Sequence, residues 1–351
     1  MSKFEKKILV APLDWGLGHI TRTIPIVKLL IERGHQVETC GNAIAEKLYQ
    51  EEFPGIPHHH VQGYNPTYSR TNKQGWAMIK QSPKFFSIIK KEQQIAEELV
   101  RKNGYNIIIS DNRFGFKSNH TTNIFICHQT EIMGPIILKP IFRFINRGYI
   151  NSFDFCWIPD TSEKINLSGK LSSYENNNCF RIGPQSRFNT ALKTKQSYTY
   201  KYTAILSGPE PQRSLFEEKV SAFFNKQDFR CAIIQGAPLA KKNSQKKIDF
   251  FPHLNSKDFL SLINESEIII CRSGYSNIMD LSRLQKKAIL IPTPGQTEQE
   301  YLAKYHEKTS NIFTLKQDDI SEMNMLNTTG KIIAVKTSTK SLESAFIRAD
   351  L

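Results

Sequence analysis

Residues 6–41 read KKILVAPLDWGLGHITRTIPIVKLLIERGHQVETCG, and this stretch decides the fold. Residues 6–12 form an apolar run that predicts a buried strand, and a glycine-containing loop follows it. Apolar residues then recur at helical spacing: Ile20, Ile24, Val27, Leu30 and Ile31. Gly34 ends the predicted helix, and residues 35–41 predict a second strand. A strand, a helix and a strand in this order form a βαβ unit, so we expect a parallel sheet.

Short apolar runs alternate with helical stretches along the rest of the chain. They occupy residues 106–110, 123–127, 153–158 and 179–182 in the first half and residues 203–208, 231–236, 268–271 and 288–292 in the second. A chain of 351 residues exceeds what one core usually holds. We therefore predict two α/β domains, residues 1–184 and 203–351, joined by the polar linker 185–202. Residues 341–351 predict a final helix in the second domain.

Composition restricts the class of protein. The chain has 47 Lys and Arg against 33 Asp and Glu, a net charge of +14, which favours an anionic partner: nucleic acid, an acidic membrane or a phosphorylated substrate. The six cysteines are scattered, which indicates buried thiols. We expect neither a signal peptide nor a membrane span, because the first seven residues are polar and no 18-residue apolar run follows. The triplet His58–His60 lacks the spacing of a metal site and predicts a loop, so no metal is expected.

The first glycine loop contains Gly16, Gly18 and Thr21 between a strand and a helix. Backbone N–H groups and the helix dipole favour an anion or a polarised oxygen there. A dinucleotide fingerprint would need a third glycine where Thr21 stands, which argues against a dinucleotide cofactor. His19 lies at the start of the helix. A histidine in such a place either acts as a general base near pH 7 or only caps the helix.

A second strand, turn and helix start occurs at residues 268–280, IIICRSGYSNIMD. Phosphates fit such a turn, Arg272 would supply positive charge, and Asp280 could accept hydrogen bonds from ribose hydroxyls. The alternative is a capped helix with a solvated arginine and aspartate. The pair His253-Leu254 and residues 292–301 also lie at the ends of predicted strands, so we expect these segments to line one crevice at the carboxyl edge of the sheet.

The sequence resembles a known family in two regions. From about residue 251 to 320, the string FFPHLNSKDFLSLINESEIIICRSGYSNIMDL…AILIPTPGQTEQEYLA resembles the C-terminal domain of glycosyltransferase family 28, the family of the MurG-like N-acetylglucosaminyltransferases. Residues 16–37 resemble its N-terminal glycine loop, and the pair His128-Gln129 resembles a histidine-containing segment at the cleft. The resemblance implies the GT-B fold, in which two Rossmann-like domains face each other across a cleft.

The resemblance also implies a donor site for a nucleotide-diphosphate sugar, UDP-linked, in the second domain. The backbone of Leu254 would hold the base, Asp280 the ribose, and Gln299 with Glu300 the sugar. Gly274, Tyr275, Ser276 and Asn277 would hold the diphosphate. Gly208, Arg272 and Ser273 are further predicted donor-binding residues. The family favours Glu and Gln-Gln where this chain has Asp280 and Gln299-Glu300, so hexosyl and N-acetylhexosaminyl donors both stay open. The first domain, with Gly16, Gly18 and Thr21, would hold the acceptor.

The implied reaction is an inverting transfer. A base takes the proton of the acceptor hydroxyl while the nucleotide diphosphate leaves, its charge stabilised by helix N-termini and Arg272 rather than by a metal. The E-x-F-G segment of retaining GT-B enzymes is absent from the sequence. His19 is the first candidate for the base, and Asp111 or His128 is the second. No cofactor is expected beyond the substrate nucleotide sugar.

Residues 132–150 suggest where the acceptor is met. They are apolar but carry Lys139, Arg143 and Arg147 along one helical face. Such a helix either lies in a membrane interface, which would suit a lipid-linked acceptor, or is a core helix with a solvated basic edge. We expect a cytoplasmic protein of cell-envelope synthesis, peripheral on the inner face of the membrane.

Two other functions remain open at this point. A nucleotide-sugar hydrolase or epimerase would use the same fold, because a glycine–histidine loop can direct a water as easily as a sugar hydroxyl. A basic nucleic-acid-binding protein is supported by the net charge alone, and no recognised nucleic-acid motif accompanies that charge.

Overall fold

The computed structural model describes residues 5–14, 16–61, 82–132, 139–188, 191–193, 195–238, 244–245, 247–322, 330–335 and 339–351. Two seven-stranded sheets organise these residues, one in each half of the chain. No helix among the described residues is long and apolar enough to cross a membrane.

The first sheet has the strand order β3-β2-β1-β4-β5-β6-β7 and is parallel throughout. Its strands are β1 (Lys7–Pro12), β2 (Gln36–Gly41), β3 (His58–His60), β4 (Ile107–Asp111), β5 (Thr122–Ile126), β6 (Phe155–Ile158) and β7 (Cys179–Arg181). The helices are α1 (Leu17–Glu32), α2 (Ala43–Glu52), α3 (Ser82–Asn103) and α4 (Lys139–Asn151). The order 3-2-1-4-5-6 is that of a Rossmann domain, whose ligands bind outside the carboxyl ends of the strands.

The second sheet repeats this plan with the order β10-β11-β9-β8-β12-β13-β14. Its strands are β8 (Tyr200–Ile205), β9 (Cys231–Ile234), β10 (Ser244–Gln245), β11 (Ile248–Phe251), β12 (Ser266–Cys271), β13 (Lys287–Leu290) and β14 (Phe313–Thr314). The helices are α5 (Gln212–Asn225), α6 (Ser256–Asn264), α7 (Tyr275–Leu284), α8 (Thr297–Ser310) and α9 (Thr339–Arg348). Only the pair β10–β11 is antiparallel among the described strand pairs.

Burial on both faces explains the apolar runs of the sequence. In β1, Ile8, Leu9 and Val10 are fully buried, and so are Ile269 and Ile270 in β12. Helices cover both faces of a parallel sheet, so its central strands are continuously apolar rather than alternating. The prediction of two Rossmann-like α/β domains is confirmed. The exact boundaries stay a prediction, and β8 begins at Tyr200, inside the segment assigned to the linker.

The histidine triplet corrects one sequence prediction. His58–His60 is a short parallel strand beside β2, not a loop. The histidine rings hydrogen-bond to neighbouring side chains: Nδ1 of His58 lies 2.8 Å from Oγ1 of Thr39, and Nε2 of His59 lies 2.7 Å from the carboxylate of Glu38. Three residues at a sheet edge are too few for the alternation that identifies a strand in sequence.

The final helix corrects a second prediction. We assigned it to the second domain, but α9 packs on the first sheet, where Leu342, Ala345 and Phe346 join the core formed by β1, β4 and β6. The Phe346 ring stacks on Trp157 at 5.4 Å between centroids. Apolar periodicity identifies a helix but does not tell which sheet it covers. The chain therefore returns to the first domain after the second sheet is complete.

This return of the chain predicts that Phe346→Ala destabilises the first domain. The side chain is fully buried, so its removal is expected to cost about 3 kcal/mol of unfolding free energy. The three tryptophans lie in the first half of the sequence, so the urea transition of their fluorescence reports on that domain. Ile347→Ala is the control, because Ile347 is 73% exposed. Equal, small shifts for both variants would contradict the docking of α9.

Candidate active site

The carboxyl edges of the two sheets face each other, and polar side chains from several strand ends meet between them. On the first domain these are His19 and Arg22 at the start of α1, Asp111 at the end of β4, and His128 just after β5. The facing elements of the second domain are the N-termini of α7 and α8. This is the edge at which ligands of open α/β sheets bind.

A buried ion pair between Arg22 and Asp111 forms the centre of this cluster. Nε of Arg22 donates to Oδ2 of Asp111 at 2.5 Å, and a second guanidinium nitrogen donates to Oδ1. The side chains are 1% and 0% exposed, so neither charge is screened by water. Burial by itself raises the pKa of Asp111, but the charge of Arg22 and the hydrogen bonds from Arg22 and His19 outweigh it and hold the pKa at about 2. Asp111 is therefore a carboxylate at neutral pH.

The carboxylate of Asp111 orients the side chain of His19. Its Nδ1 lies 3.0 Å from Oδ1 of Asp111, and a carboxylate can only accept, so Nδ1 carries the proton. Nε2 therefore carries no proton, and its lone pair can take one. Burial and the charge of Arg22 lower the pKa of His19, against the opposing effect of Asp111. A neutral imidazole with a basic Nε2 is the form that a general base requires.

His128 is held at both ring nitrogens. Its Nδ1 lies 2.9 Å from Nη1 of Arg22, and its Nε2 lies 2.8 Å from Oε1 of Glu298 in the second domain. Its ring also stacks on Tyr275 at 4.4 Å between centroids. The alternative bases predicted from sequence are thus both engaged, since Asp111 is bound by Arg22 and His19. The geometry leaves His19 as the candidate base.

The predicted diphosphate turn contributes to the contact between the domains. Oγ of Ser276 donates to the carbonyl oxygen of Gly18 at 2.9 Å, and the hydroxyl of Tyr275 donates to the carbonyl oxygen of Pro159 at 2.8 Å. A Cβ at Gly18 would lie 2.7 Å from Oγ of Ser276, so this approach needs glycine. The side chains of Tyr275 and Ser276 are therefore directed to the first domain, and a phosphate at this turn would meet backbone N–H groups.

Other predicted residues hold the loops together. Oγ of Ser273 donates to the carbonyl oxygen of Gln299 at 2.7 Å, and Nδ2 of Asn277 donates to that of Arg272 at 3.0 Å. Gly274 is the N-cap of α7. Oγ1 of Thr21 donates to the carbonyl oxygen of Gly18 at 3.2 Å. These contacts shape the two helix starts without involving a ligand.

Two of the predicted glycines outside the helices have left-handed φ angles. Gly16, the N-cap of α1, has φ of 130°, and Gly208, beyond the end of β8, has φ of 98°. A Cβ at either position would meet no atom within 4 Å. The backbone conformation, not space, therefore explains glycine at these two loop positions.

Arg272 is not beside the turn as predicted. Its side chain is fully buried on the other side of β12, where the guanidinium lies 4.1 Å from the Phe216 ring and binds the carbonyl oxygens of Gln212 and Pro292 at 3.0 Å and 3.2 Å. It also donates to the side chain of Gln317. Both faces of β12 are buried, so the sequence pattern could not tell which face the arginine takes. Its guanidinium is therefore engaged by Gln212, Pro292 and Gln317 rather than by the turn at Gly274.

The pair Gln299-Glu300 lies at the start of α8, and its role toward a donor sugar stays a prediction. Oε1 of Gln299 accepts from the backbone N–H of Thr293 at 2.8 Å, and Oε1 of Glu300 accepts from that of Gly295 at 2.9 Å. One oxygen of each side chain thus holds the loop before α8, while Nε2 of Gln299 lies 4.0 Å from the place of a Cβ at Gly274. Glu298, one residue earlier, is the side chain that reaches the cleft, because each residue of a helix turns the side-chain direction by about 100°. Sequence reasoning missed Glu298.

Sequence reasoning also missed Arg187, whose charge acts on Asp280. Oγ of Ser186 donates to Oδ1 of Asp280 at 2.6 Å, and burial raises the pKa of Asp280 to about 6, against the charge of Arg187 and this hydrogen bond. Nε of Arg187 has no hydrogen-bond partner, and its guanidinium lies over Phe259 at 4.5 Å. The sequence marked Arg187 only as an arginine within the segment assigned to the linker.

The loop after β11 touches the first domain. Nε2 of His253 lies 3.2 Å from the carboxylate of Glu51, and the backbone N–H of Ser256 donates to Glu52 at 3.0 Å. Leu254, between them, is partly buried against the core of the second domain. Among the described residues, no group of three or more His, Cys, Asp or Glu side chains could hold a metal ion.

Comparisons with known proteins agree with this architecture. Two Rossmann-like domains that face each other across this cleft define a GT-B fold. More specifically, residues 215–349 match the model of the glycosyltransferase family 28 C-terminal domain. The protein is therefore of GT-B type with a second domain of the glycosyltransferase family 28 C-terminal type. No curated protein matches the sequence.

Solved structures resemble the whole chain at low identity. MurG from Acinetobacter baumannii has a TM-score of 0.51 at 11% identity, covering 98% of this chain and 94% of that chain. The spinosyn rhamnosyltransferase SpnG, complexed with thymidine diphosphate, has a TM-score of 0.54 at 10% identity, covering 98% and 95%. A protein described as a UDP-N-acetylglucosamine 2-epimerase from Listeria monocytogenes has a TM-score of 0.52 at 9% identity, covering 91% and 86%. These likenesses concern the fold.

Proposed function

We propose that the protein is an inverting glycosyltransferase that moves a sugar from a nucleotide-diphosphate sugar, UDP-linked, to an acceptor hydroxyl. The observation that carries the proposal is the pair His19–Asp111 at the cleft, with Nδ1 of His19 held by the carboxylate at 3.0 Å and Nε2 left to take a proton. The family match of the second domain supports a nucleotide-sugar donor.

The chemistry follows from the charges around His19. The acceptor oxygen attacks the anomeric carbon and the bond from that carbon to the diphosphate oxygen breaks, while Nε2 of His19 takes the hydroxyl proton. The imidazolium that forms is stabilised by Asp111. Arg22 keeps Asp111 ionised, with a pKa of about 2, so the carboxylate orients and stabilises the base without taking the proton itself.

The donor is proposed to bind at the carboxyl edge of the second sheet. The N-terminus of α7 offers backbone N–H groups to the diphosphate at Gly274. Arg187 replaces Arg272 as the proposed positive charge, because its Nε is unpartnered and Asp280 lies close enough to affect its pKa. Asp280 is proposed to accept hydrogen bonds from the ribose hydroxyls. Gln299 with Glu300 is proposed to face the donor sugar, since Nε2 of Gln299 lies beside the Gly274 turn. The thymidine diphosphate bound by SpnG, a structural neighbour, supports a nucleoside diphosphate group in the ligand.

The first experiment measures transfer from UDP-, GDP- and TDP-sugars to a panel of sugar and lipid-linked acceptors, with His19→Ala as the test variant. Loss of a general base is expected to lower kcat by roughly 10²- to 10⁴-fold while the Kd of the nucleotide stays unchanged. In the wild type, kcat/KM should rise with pH through the pKa of His19, which burial and the charge of Arg22 hold below its ordinary value. His60→Ala is the control, because His60 is exposed and pairs with Glu46 at the surface.

Other outcomes of this experiment would contradict the proposal. Release of nucleotide diphosphate without acceptor, at a rate that added acceptor does not change, would favour a hydrolase. Conversion of the sugar without transfer would favour an epimerase, as the resemblance to the Listeria monocytogenes protein allows. Salt-sensitive binding of RNA or DNA without binding of any nucleotide sugar would favour the nucleic-acid-binding alternative.

We also propose that the acceptor is lipid-linked and is met at the cytoplasmic face of a membrane. Helix α4 lies within the segment 132–150, of which 133–138 are outside the described residues. Ile141 is 56% and Phe144 is 81% exposed on it, and their spacing of three residues places them on one side of the helix. Arg143 and Arg147 both pair with Glu131, at 2.8 Å and 2.5 Å, so the basic face is partly neutralised. The apolar side chains therefore carry this proposal more than the charge does.

The membrane proposal predicts that Phe144→Ser weakens binding to anionic phospholipid vesicles. Burial of one phenylalanine side chain in a membrane stabilises by about 2 kcal/mol, so the partition coefficient should fall by roughly 10- to 100-fold. Vesicle co-sedimentation measures the change, and Ile347→Ser on α9, which is also exposed, is the control. Equal partitioning of wild type and Phe144→Ser would contradict the role of α4.

A further inference from the structure

The contact between Glu298 and His128 joins the two domains at the proposed base. Glu298 is in the first turn of α8, in the second domain, and its Oε1 lies 2.8 Å from Nε2 of His128, in the first. Its side chain is 19% exposed and that of His128 is 8% exposed. An acid in the first turn of a helix is stabilised by the helix dipole. This contact is therefore a largely buried link between the donor domain and the base domain.

A series of hydrogen bonds runs from Glu298 to His19, and the donor of each bond is fixed by the chemistry of its side chains. A guanidinium can only donate, so Nδ1 of His128 accepts from Arg22 and Nε2 of His128 carries the proton. That proton is donated to Glu298. Burial raises the pKa of Glu298, but His128, His19 and Arg22 outweigh it and lower the pKa, so Glu298 is ionised. From Glu298 the order is His128, Arg22, Asp111, His19, with each donor meeting an acceptor.

We propose that Glu298 is a positioning residue that makes His19 competent as a base only when the second domain has closed on the first. The proposal rests on the transferase function proposed above. Without Glu298, Nε2–H of His128 loses its acceptor and the ring can take the other tautomer. Nδ1–H would then face an N–H of Arg22, two donors would meet, and Arg22 would move away from the carboxylate that orients His19.

The same interface connects the proposed donor site to the base. Tyr275, next to the proposed diphosphate turn, stacks on the His128 ring, and Ser276 binds the backbone of Gly18 one residue before His19. A donor held by the second domain is thus brought in with the groups that complete the base. Closure of this kind keeps the base from activating water while the domains are apart.

The test compares Glu298→Ala and Glu298→Gln with the wild type. Glu298→Ala should lower kcat by roughly 10- to 100-fold, because a charge-assisted hydrogen bond to a buried group is lost, while the Kd of the nucleotide sugar stays unchanged. Glu298→Gln should recover part of kcat, because its amide oxygen still accepts from His128. The matched control is Glu307→Gln, which removes the same charge from the exposed end of the same helix.

The pH profile separates positioning from a merely structural role. His19 faces Arg22 from its own helix, Asp111 from β4, His128 from the segment after β5, and Glu298 from α8. Removing the negative charge of Glu298 disfavours the imidazolium, so the acid limb of kcat/KM should move to lower pH in Glu298→Gln. Glu307→Gln should leave the limb in place.

A double variant tests whether Glu298 acts through His128. If it does, His128→Ala/Glu298→Ala should be no slower than His128→Ala alone. A full additional loss would overturn the proposal and indicate a direct contact with substrate, as would a raised nucleotide-sugar Kd with kcat unchanged. Wild-type kcat and an unshifted acid limb in Glu298→Ala would overturn it as well.

A measurement without turnover separates this proposal from the proposed function. Small-angle X-ray scattering with UDP should give a larger radius of gyration for Glu298→Ala than for the wild type and for Glu307→Gln. If the wild type transfers no sugar but this difference is present, the transferase function fails and the link between the domains stands. If the wild type transfers sugar and the radii are equal, closure does not depend on Glu298 and the proposal fails.

Discussion

The ion pair between Arg22 and Asp111 is the interaction on which the site depends. Taking both charges out of water costs several kcal/mol per ion, and the attraction offsets that cost only with good geometry and further hydrogen bonds. Here Arg22 makes two hydrogen bonds to Asp111 and a third to His128, and Asp111 also accepts from His19. Removing either partner would leave an uncompensated buried charge, at a cost of about 3–5 kcal/mol. The pair thus fixes two histidines and their tautomers at once.

Both sheets contribute to this arrangement through their carboxyl edges. The pairing of Pro12 with Asp111 places the first glycine loop beside the end of β4, which brings α1 and its His19 and Arg22 to the carboxylate. The absence of a side chain at Gly18 lets α7 approach closely enough for Ser276 to bind the backbone. The site is therefore a product of the contact between domains, and its two halves are incomplete apart.

Much of the fold could be predicted from sequence, because continuous apolar runs followed by glycine turns are required by parallel strands buried on both faces. His19 and Asp111 could be named for the same reason, since strand ends and helix starts meet at one edge. The side that Arg272 takes could not be predicted, because both faces of β12 are apolar. Nor could the contact of Glu298 with His128, because it depends on a helix phase that a one-residue shift changes. The docking of α9 on the first sheet is a long-range contact with no local signal.

The most direct test of the account is the protonation state of His19. Long-range ¹H–¹⁵N NMR spectra of the imidazole rings at pH 7 distinguish the two neutral tautomers and the cation, and His19→Gln assigns the signals. The account predicts a neutral His19 with its proton on Nδ1, held by Asp111, and a free Nε2. A proton on Nε2, or an imidazolium at pH 7, would contradict it, because neither form has a free lone pair on Nε2 to take the proton of an acceptor hydroxyl.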